Sequence, residues 1–205
     1  MERRDFLLKT SILAALGAAI SPATMAFTPG PNPLPVIEPV LLPAQPPLDH
    51  KGSMDIRVWV RSSMTNGIYS NVECAVAPKV MGPPPHYHHE LDELMFVVDG
   101  TASVLVGKEI VEIKAGGWHL RPRQIKHTFW NASDEPLRFF DMYFNQPFEE
   151  YLEQIFHQLN EKNGYEDGSE KKNKAIWELN DKFGLVFPED SFDERNNIAK
   201  QFGLK

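Results

Sequence analysis

Between Met54 and about Asn145 the chain is cut into short runs rich in Val, Ile, Phe and Tyr, separated by Gly, Pro, Asn and Asp. Such runs are strand signals and their separators are turn signals. The runs are Ile56–Ser62, Ile68–Ala77, Glu93–Val98, Thr101–Val106, Glu109–Ile113, His119–Arg121, His127–Asn131 and Leu137–Phe144. Turns fall at Asp99-Gly100, Gly107-Lys108 and Gly116-Gly117. About eight short strands in some ninety residues predict an all-β dominated body, a small antiparallel β-barrel or jelly roll.

After Pro147 the period changes. Phe148, Tyr151, Leu152, Ile155, Phe156 and Leu159 recur at helical spacing and form one stripe of an amphipathic helix. Ile176, Leu179 and Phe183 predict a second helix ending near Gly184, and Ser191-x-x-Glu194 is a capping-box pattern opening a third. The polar loop Asn163–Lys174 is expected to be mobile.

Ahead of the strands, nine of the 17 prolines lie between Pro22 and Pro47, which excludes an interior helix or a central strand and leaves an extended arm. Leu34, Val36, Ile37, Val40, Leu41 and Leu42 are too apolar for a bare spacer, so the arm is expected to lie on the body or on a partner subunit. Arg3-Arg4 heads a charged segment, followed by a mildly apolar stretch from Ser11 to Ile20 and then small residues up to Ala26. That stretch is about ten residues, short of the roughly 20 that cross a bilayer, and has the layout of a cleavable export signal. The chain thus divides into a signal at 1–26, an arm at 27–53, a barrel at 54–146 and a helical extension at 147–205.

With 21 basic against 28 acidic residues the net charge is −7, and no long basic run occurs outside the first ten positions. Binding to nucleic acid through phosphates is disfavoured. The single cysteine, Cys74, permits no intrachain disulfide and reads as a small buried hydrophobe.

The chemistry is concentrated in Gly82-Pro-Pro-Pro-His86-Tyr87-His88 and the residues after it. In an extended segment i and i+2 share a face, so His86 and His88 present two imidazoles to one point while His89 and Glu90 face solvent. Glu93 begins the next strand, and His127 begins another some forty residues on. Three imidazoles and one carboxylate suit one divalent transition metal among Fe, Mn, Ni, Cu, Co and Zn, without choosing between them. On a six-coordinate ion they leave one or two positions open, the design of an active site. Alternation from Glu93 and His127 places Met95, Phe129 and Asn131 inside as candidates for lining a substrate pocket. His119 reads as a hydrogen-bonded wall histidine, and Trp130, on the opposite face, as packing between sheets or at a subunit contact.

These residues resemble the two motifs of the cupin superfamily. The first reads G-x5-H-x-H-x3-4-E-x6-G and is met by His86, His88, Glu93 and Gly100, with its leading glycine displaced to Gly82. The second reads G-x5-P-x-G-x2-H-x3-N and is met by Gly116, Pro122, His127 and Asn131, with Gln124 in a glycine slot. The resemblance covers about residues 55–145 and implies a cupin-type barrel with metal bound inside. The Gly-Pro-Pro-Pro-His approach and the tail opening at Pro147 look more loosely like quercetin 2,3-dioxygenase-like small cupins. The N-terminal segment resembles twin-arginine signals, which implies a periplasmic protein with no stable membrane anchor after cleavage.

The leading functional expectation is dioxygenase-like chemistry on a small enolisable or aromatic substrate, with Glu93 as both ligand and catalytic base. Metal-assisted isomerisation or lyase chemistry, and non-catalytic capture of a small molecule, are the alternatives. A homodimer is among the expected states.

Overall fold

The computed structural model describes residues 35–205. The expected signal and the first part of the arm, residues 27–34, lie outside them. Eleven strands follow the arm: β1 Met54–Val60, β2 Tyr69–Val76, β3 Val80–Met81, β4 Tyr87–His88, β5 Asp92–Asp99, β6 Thr101–Val106, β7 Glu109–Lys114, β8 Trp118–Arg121, β9 His127–Asn131, β10 Leu137–Phe144 and, after two helices, β11 Leu185–Val186. The helices are α1 Phe148–Glu153, α2 Glu170–Lys182 and α3 Ser191–Phe202.

A five-stranded sheet in the order β1-β2-β10-β5-β8 faces a four-stranded sheet in the order β3-β9-β6-β7, and β11 pairs with β4. The pairings are antiparallel. This is the expected cupin-type β-barrel followed by C-terminal helices. Alternation is clean: on β10, Leu137, Phe139, Asp141 and Tyr143 are buried and the residues between them half-buried. On β5, Glu93, Met95 and Val97 point inward. Period-2 geometry therefore fills the interior from both sheets, and it carries Glu93 and Asp141 inside with the apolar side chains. Gly82 lies where a Cβ would come within 2.2 Å of the Phe129 carbonyl oxygen, so only glycine lets this segment lie against β9.

The tail packs tightly on the barrel. Trp130 is fully buried, beneath Ile198 and Phe202 of α3, which replaces the expected sheet or subunit contact with an intrachain one. The last residue extends the edge of the smaller sheet, Lys205 N–H donating to the Lys79 carbonyl at 2.7 Å.

Three expectations for the tail are corrected. The stripe from Phe148 is not one continuous helix, because α1 gives way to a π turn at Gln154–Gln158. The segment expected as a mobile loop to Lys174 is helical from Glu170, since the Ser169 hydroxyl caps α2 by accepting from Lys172 N–H at 3.2 Å. Ser191 is not a cap: it is the first residue of α3, and its buried hydroxyl donates to the Pro85 carbonyl at 2.6 Å. The arm from Pro35 is extended and tied down by polar contacts, Asn66 Nδ2 donating to Pro35 O at 2.6 Å and Arg57 Nη1 to Pro46 O at 3.0 Å. Among the described residues no helix is long and apolar enough to cross a membrane.

Candidate metal centre

Pro83-Pro84-Pro85 fixes the approach to His86 in an extended path. His86 then forms a two-way backbone bridge with His127, His86 N–H to His127 O at 3.0 Å and His127 N–H to His86 O at 2.8 Å. The two imidazoles are therefore cross-strand neighbours, with ring centroids 4.7 Å apart. His88, held by the pairing of β4 with β11, is buried on the same side as His86, while His89 and Glu90 are exposed. Glu93 is the first inward residue of β5.

One ligand atom from each of His86, His88, Glu93 and His127 lies within 4.8 Å of the other three, and all four residues are buried. The hydrogen-bond bookkeeping shows what the cluster fits. His86 Nδ1 lies 2.8 Å from the Pro84 carbonyl and His127 Nδ1 2.9 Å from the Ile125 carbonyl. Each carbonyl takes the Nδ1 proton and turns an Nε2 lone pair toward the centre. His127 Nε2 in turn faces Glu93 Oε1 at 3.2 Å, so a neutral His127 has acceptors at both nitrogens and one proton to share between them. His88 Nε2 lies 2.8 Å from the same oxygen without hydrogen-bond geometry, and neither of its ring nitrogens has a partner among the described residues. Burial holds His86 well below the usual histidine value, with His127 and His88 adding to it. Burial also lowers His88, against an opposing pull from Glu93. These are neutral, unpartnered donors around a carboxylate. A divalent cation at their centre satisfies all of them, and the donor set is the borderline N/O type of transition metals.

Behind Glu93 stands a feature missed in the sequence. Arg121, 1% exposed, lies directly across the ladder from Glu93 and donates through Nη2 toward Glu93 Oε2 at 2.9 Å and to Asp141. Burial alone would raise Glu93, but Arg121 and then His127 and His88 outweigh it and keep the carboxyl well below its ordinary range. Burial pushes Asp141 the other way, with Glu93 adding and Arg121 opposing. Glu93 is thus ionised and rigidly aimed at neutral pH. The available signal was parity on β8: if Glu93 faces inward, so does its cross-strand partner.

The cluster opens through His86 and Glu93 onto a cavity of about 320 Å³. Its far wall comes from the tail, chiefly Phe148, Tyr151, Leu152, Ile155 and Phe156, joined by Phe187. Of the three pocket candidates, Phe129 lines this cavity. Met95 and Asn131 do not. Met95 faces inward as alternation requires, but it lies in the packed core beyond the cavity. Asn131 is a clip: its Nδ2 donates to the carbonyls of Val76, Ala77 and Glu135, and its Oδ1 accepts from Ser133. His119 is a half-buried inward residue of β8 whose Nδ1 has no partner among the described residues, against the expected hydrogen-bonded wall role. Cys74 borders the cavity, and burial pushes its thiol well above the ordinary value. Gln124, in the glycine slot, adopts a left-handed φ of 63° while its N–H donates to His88 O at 2.8 Å.

The fold and site define a β-barrel with an internal cluster of three histidines and one glutamate. Residues 72–143 match the family model described as a cupin domain, and the barrel is accordingly a cupin domain. No curated protein matches the chain, whereas many solved structures do. KdgF from Halomonas sp. is 16% identical, with 50% of this chain and 88% of that chain covered at a TM-score of 0.44. The polyketide cyclase RemF from Streptomyces resistomycificus is 21% identical, with 46% and 66% covered at 0.41. Oxalate decarboxylase from Lactobacillus farciminis, in a formate complex, is 24% identical, with 46% and 29% covered at 0.40.

Proposed function

We propose that this chain is an exported, metal-dependent cupin with dioxygenase-like activity on a small enolisable or aromatic substrate. The observation that carries the reading is the placement of the four convergent ligands at the inner end of a cavity lined largely by aromatic and aliphatic side chains. Bound there, a divalent transition metal would supply Lewis-acid and redox chemistry at a substrate oxygen.

The protein's own part is positioning and proton handling. Phe148, Phe129 and Phe156 exclude water and offer flat faces to a planar substrate. Glu93 starts ionised and accepts the substrate's enol or phenol proton on a carboxylate oxygen, leaving an enolate or phenolate in the cavity. Arg121 holds Glu93 Oε2 and keeps the carboxylate from swinging away. The Arg3-Arg4 segment and its resemblance to twin-arginine signals support export of the folded protein to the periplasm.

The test is oxygen-electrode uptake by metal-loaded protein against a panel of flavonols and other enolisable compounds. Substrate-dependent uptake lost in His86→Ala supports the reading. Turnover without oxygen consumption assigns isomerase or lyase chemistry instead, and saturable binding without turnover assigns a binding protein. Export is checked separately by sequencing the N-terminus of periplasmic protein, which is expected to begin at Phe27.

A further inference from the structure

We propose that two copies of this chain associate about a two-fold axis through the outer face of the five-stranded sheet, each copy's arm packing on the Trp118–Leu120 strip of the other. A sheet with its core on one side normally turns polar residues outward on the other. On β1 and β2 this holds, with Arg57, Asn71 and Glu73 outside. On β10, β5 and β8 it fails. The register lines up Phe140, Phe96 and Trp118 in one row and Met142, Leu94 and Leu120 in the next. Trp118 is 55% exposed and Leu120 57% exposed, on the strand that forms the edge of the sheet.

The arm supplies a second uncovered patch on the same face. Leu42 anchors it there, lining a groove with Trp59, Phe96 and Phe140, while Val36 and Leu41 remain 87% and 89% exposed. Two apolar patches side by side on one face, neither covered by the chain that carries them, are self-complementary under a two-fold rotation: the arm of each copy meets the strip of the other.

Area and charge favour a second copy as the occupant. Five strands at about 4.8 Å spacing and six residues at about 3.3 Å give a sheet footprint of roughly 500 Å². That falls short of the about 800 Å² per partner of a stable interface. Thirteen extended arm residues, 35–47, reach about 43 Å and can supply the difference. The rim carries both signs, with Arg57, Glu73, Arg138 and Asp99 joined in one ion-pair network and Arg123 paired with Asp92 at the other border. Two acidic chains can therefore meet without opposing rims of one sign, and pairing covers the exposed β8 edge.

The test is sedimentation velocity and light scattering on the full chain. Wild type is expected to be a dimer at roughly 10 μM. Leu41→Glu and Trp118→Lys are each expected to weaken it by about thirty-fold or more, and the double variant Leu41→Glu/Trp118→Lys to recover it, because opposite charges then meet twice. Ile110→Glu, an exposed residue of the other sheet, serves as the control that leaves the dimer intact, with circular dichroism confirming the fold of each variant. A monomeric wild type, a dimer indifferent to both single changes, or one that dissociates equally with Ile110→Glu overturns the proposal.

Discussion

Asn131 offers the sharpest contrast between a pocket residue and a structural one. Its amide nitrogen has two hydrogens for three carbonyls, Glu135 O at 2.7 Å, Ala77 O at 3.1 Å and Val76 O at 3.3 Å, so the last two share one. Its carbonyl accepts from Ser133 N–H and hydroxyl at 3.1 and 2.7 Å. Asn131→Ala removes four effective bonds at a net of about 1 kcal/mol each. Water reaches half-buried Ser133 and restores part of its two, so the expected loss is about 2–4 kcal/mol, equivalent to a fall in Tm of roughly 4–16 °C for a chain of this size. Asn131→Asp is expected to be worse, because it keeps the acceptor but loses the donor and places a charge at a fully buried position. Urea unfolding of chelator-treated protein reads this without a contribution from bound metal. A loss below about 0.5 kcal/mol, together with weakened binding of a cavity ligand, would refute the clip and restore Asn131 to the pocket.

Other outcomes follow from the same contacts. Phe148, stacked on Tyr151 and edge-on to His88 with ring centroids 4.7 and 4.9 Å away, is expected to cost about 3–5 kcal/mol as Phe148→Ala in urea unfolding, with looser metal retention on dialysis. Gln124→Gly relieves a left-handed side-chain residue at φ 63°, and the relief of about 1–2 kcal/mol exceeds the added chain entropy of about 0.5–1 kcal/mol; a higher urea midpoint is expected. Glu153 is held below the ordinary carboxylate range by its two-pronged contact with Arg61 at 2.7 and 2.8 Å. The unfolded chain therefore takes up that proton first as pH falls, so the contact stabilises above about pH 4.3 and is lost below it. Glu153→Gln is expected to flatten the decline in midpoint between about pH 5 and pH 3, and parallel curves for variant and wild type would count against the pairing.

The strands and the constellation of three histidines and one glutamate were legible because both rest on local rules. Runs such as Thr101–Val106 and His127–Asn131 coincide with observed strands, since period and turn chemistry act within a few residues. The two histidines of the first motif converge for the same reason. What was not legible depends on contacts distant in sequence. The pairing of Leu185–Val186 with the strand that carries His88 joins segments about a hundred residues apart, and two-residue strands leave no periodic trace. Arg121 was hidden because a buried cation is recognisable only once Glu93 and Asp141 are known to flank it. Met95 and Asn131 show the limit of alternation, which tells inside from outside but not which inward residues border the cavity.

The central claim is that His86, His88, Glu93 and His127 hold one divalent transition metal, and elemental analysis of the purified chain tests it most directly. The account expects about one equivalent per chain, lost in Glu93→Gln and in His88→Ala while circular dichroism still reports a folded barrel. A wild-type chain that takes up no metal after chelation and reloading, or a Glu93→Gln variant that retains a full equivalent, would contradict it.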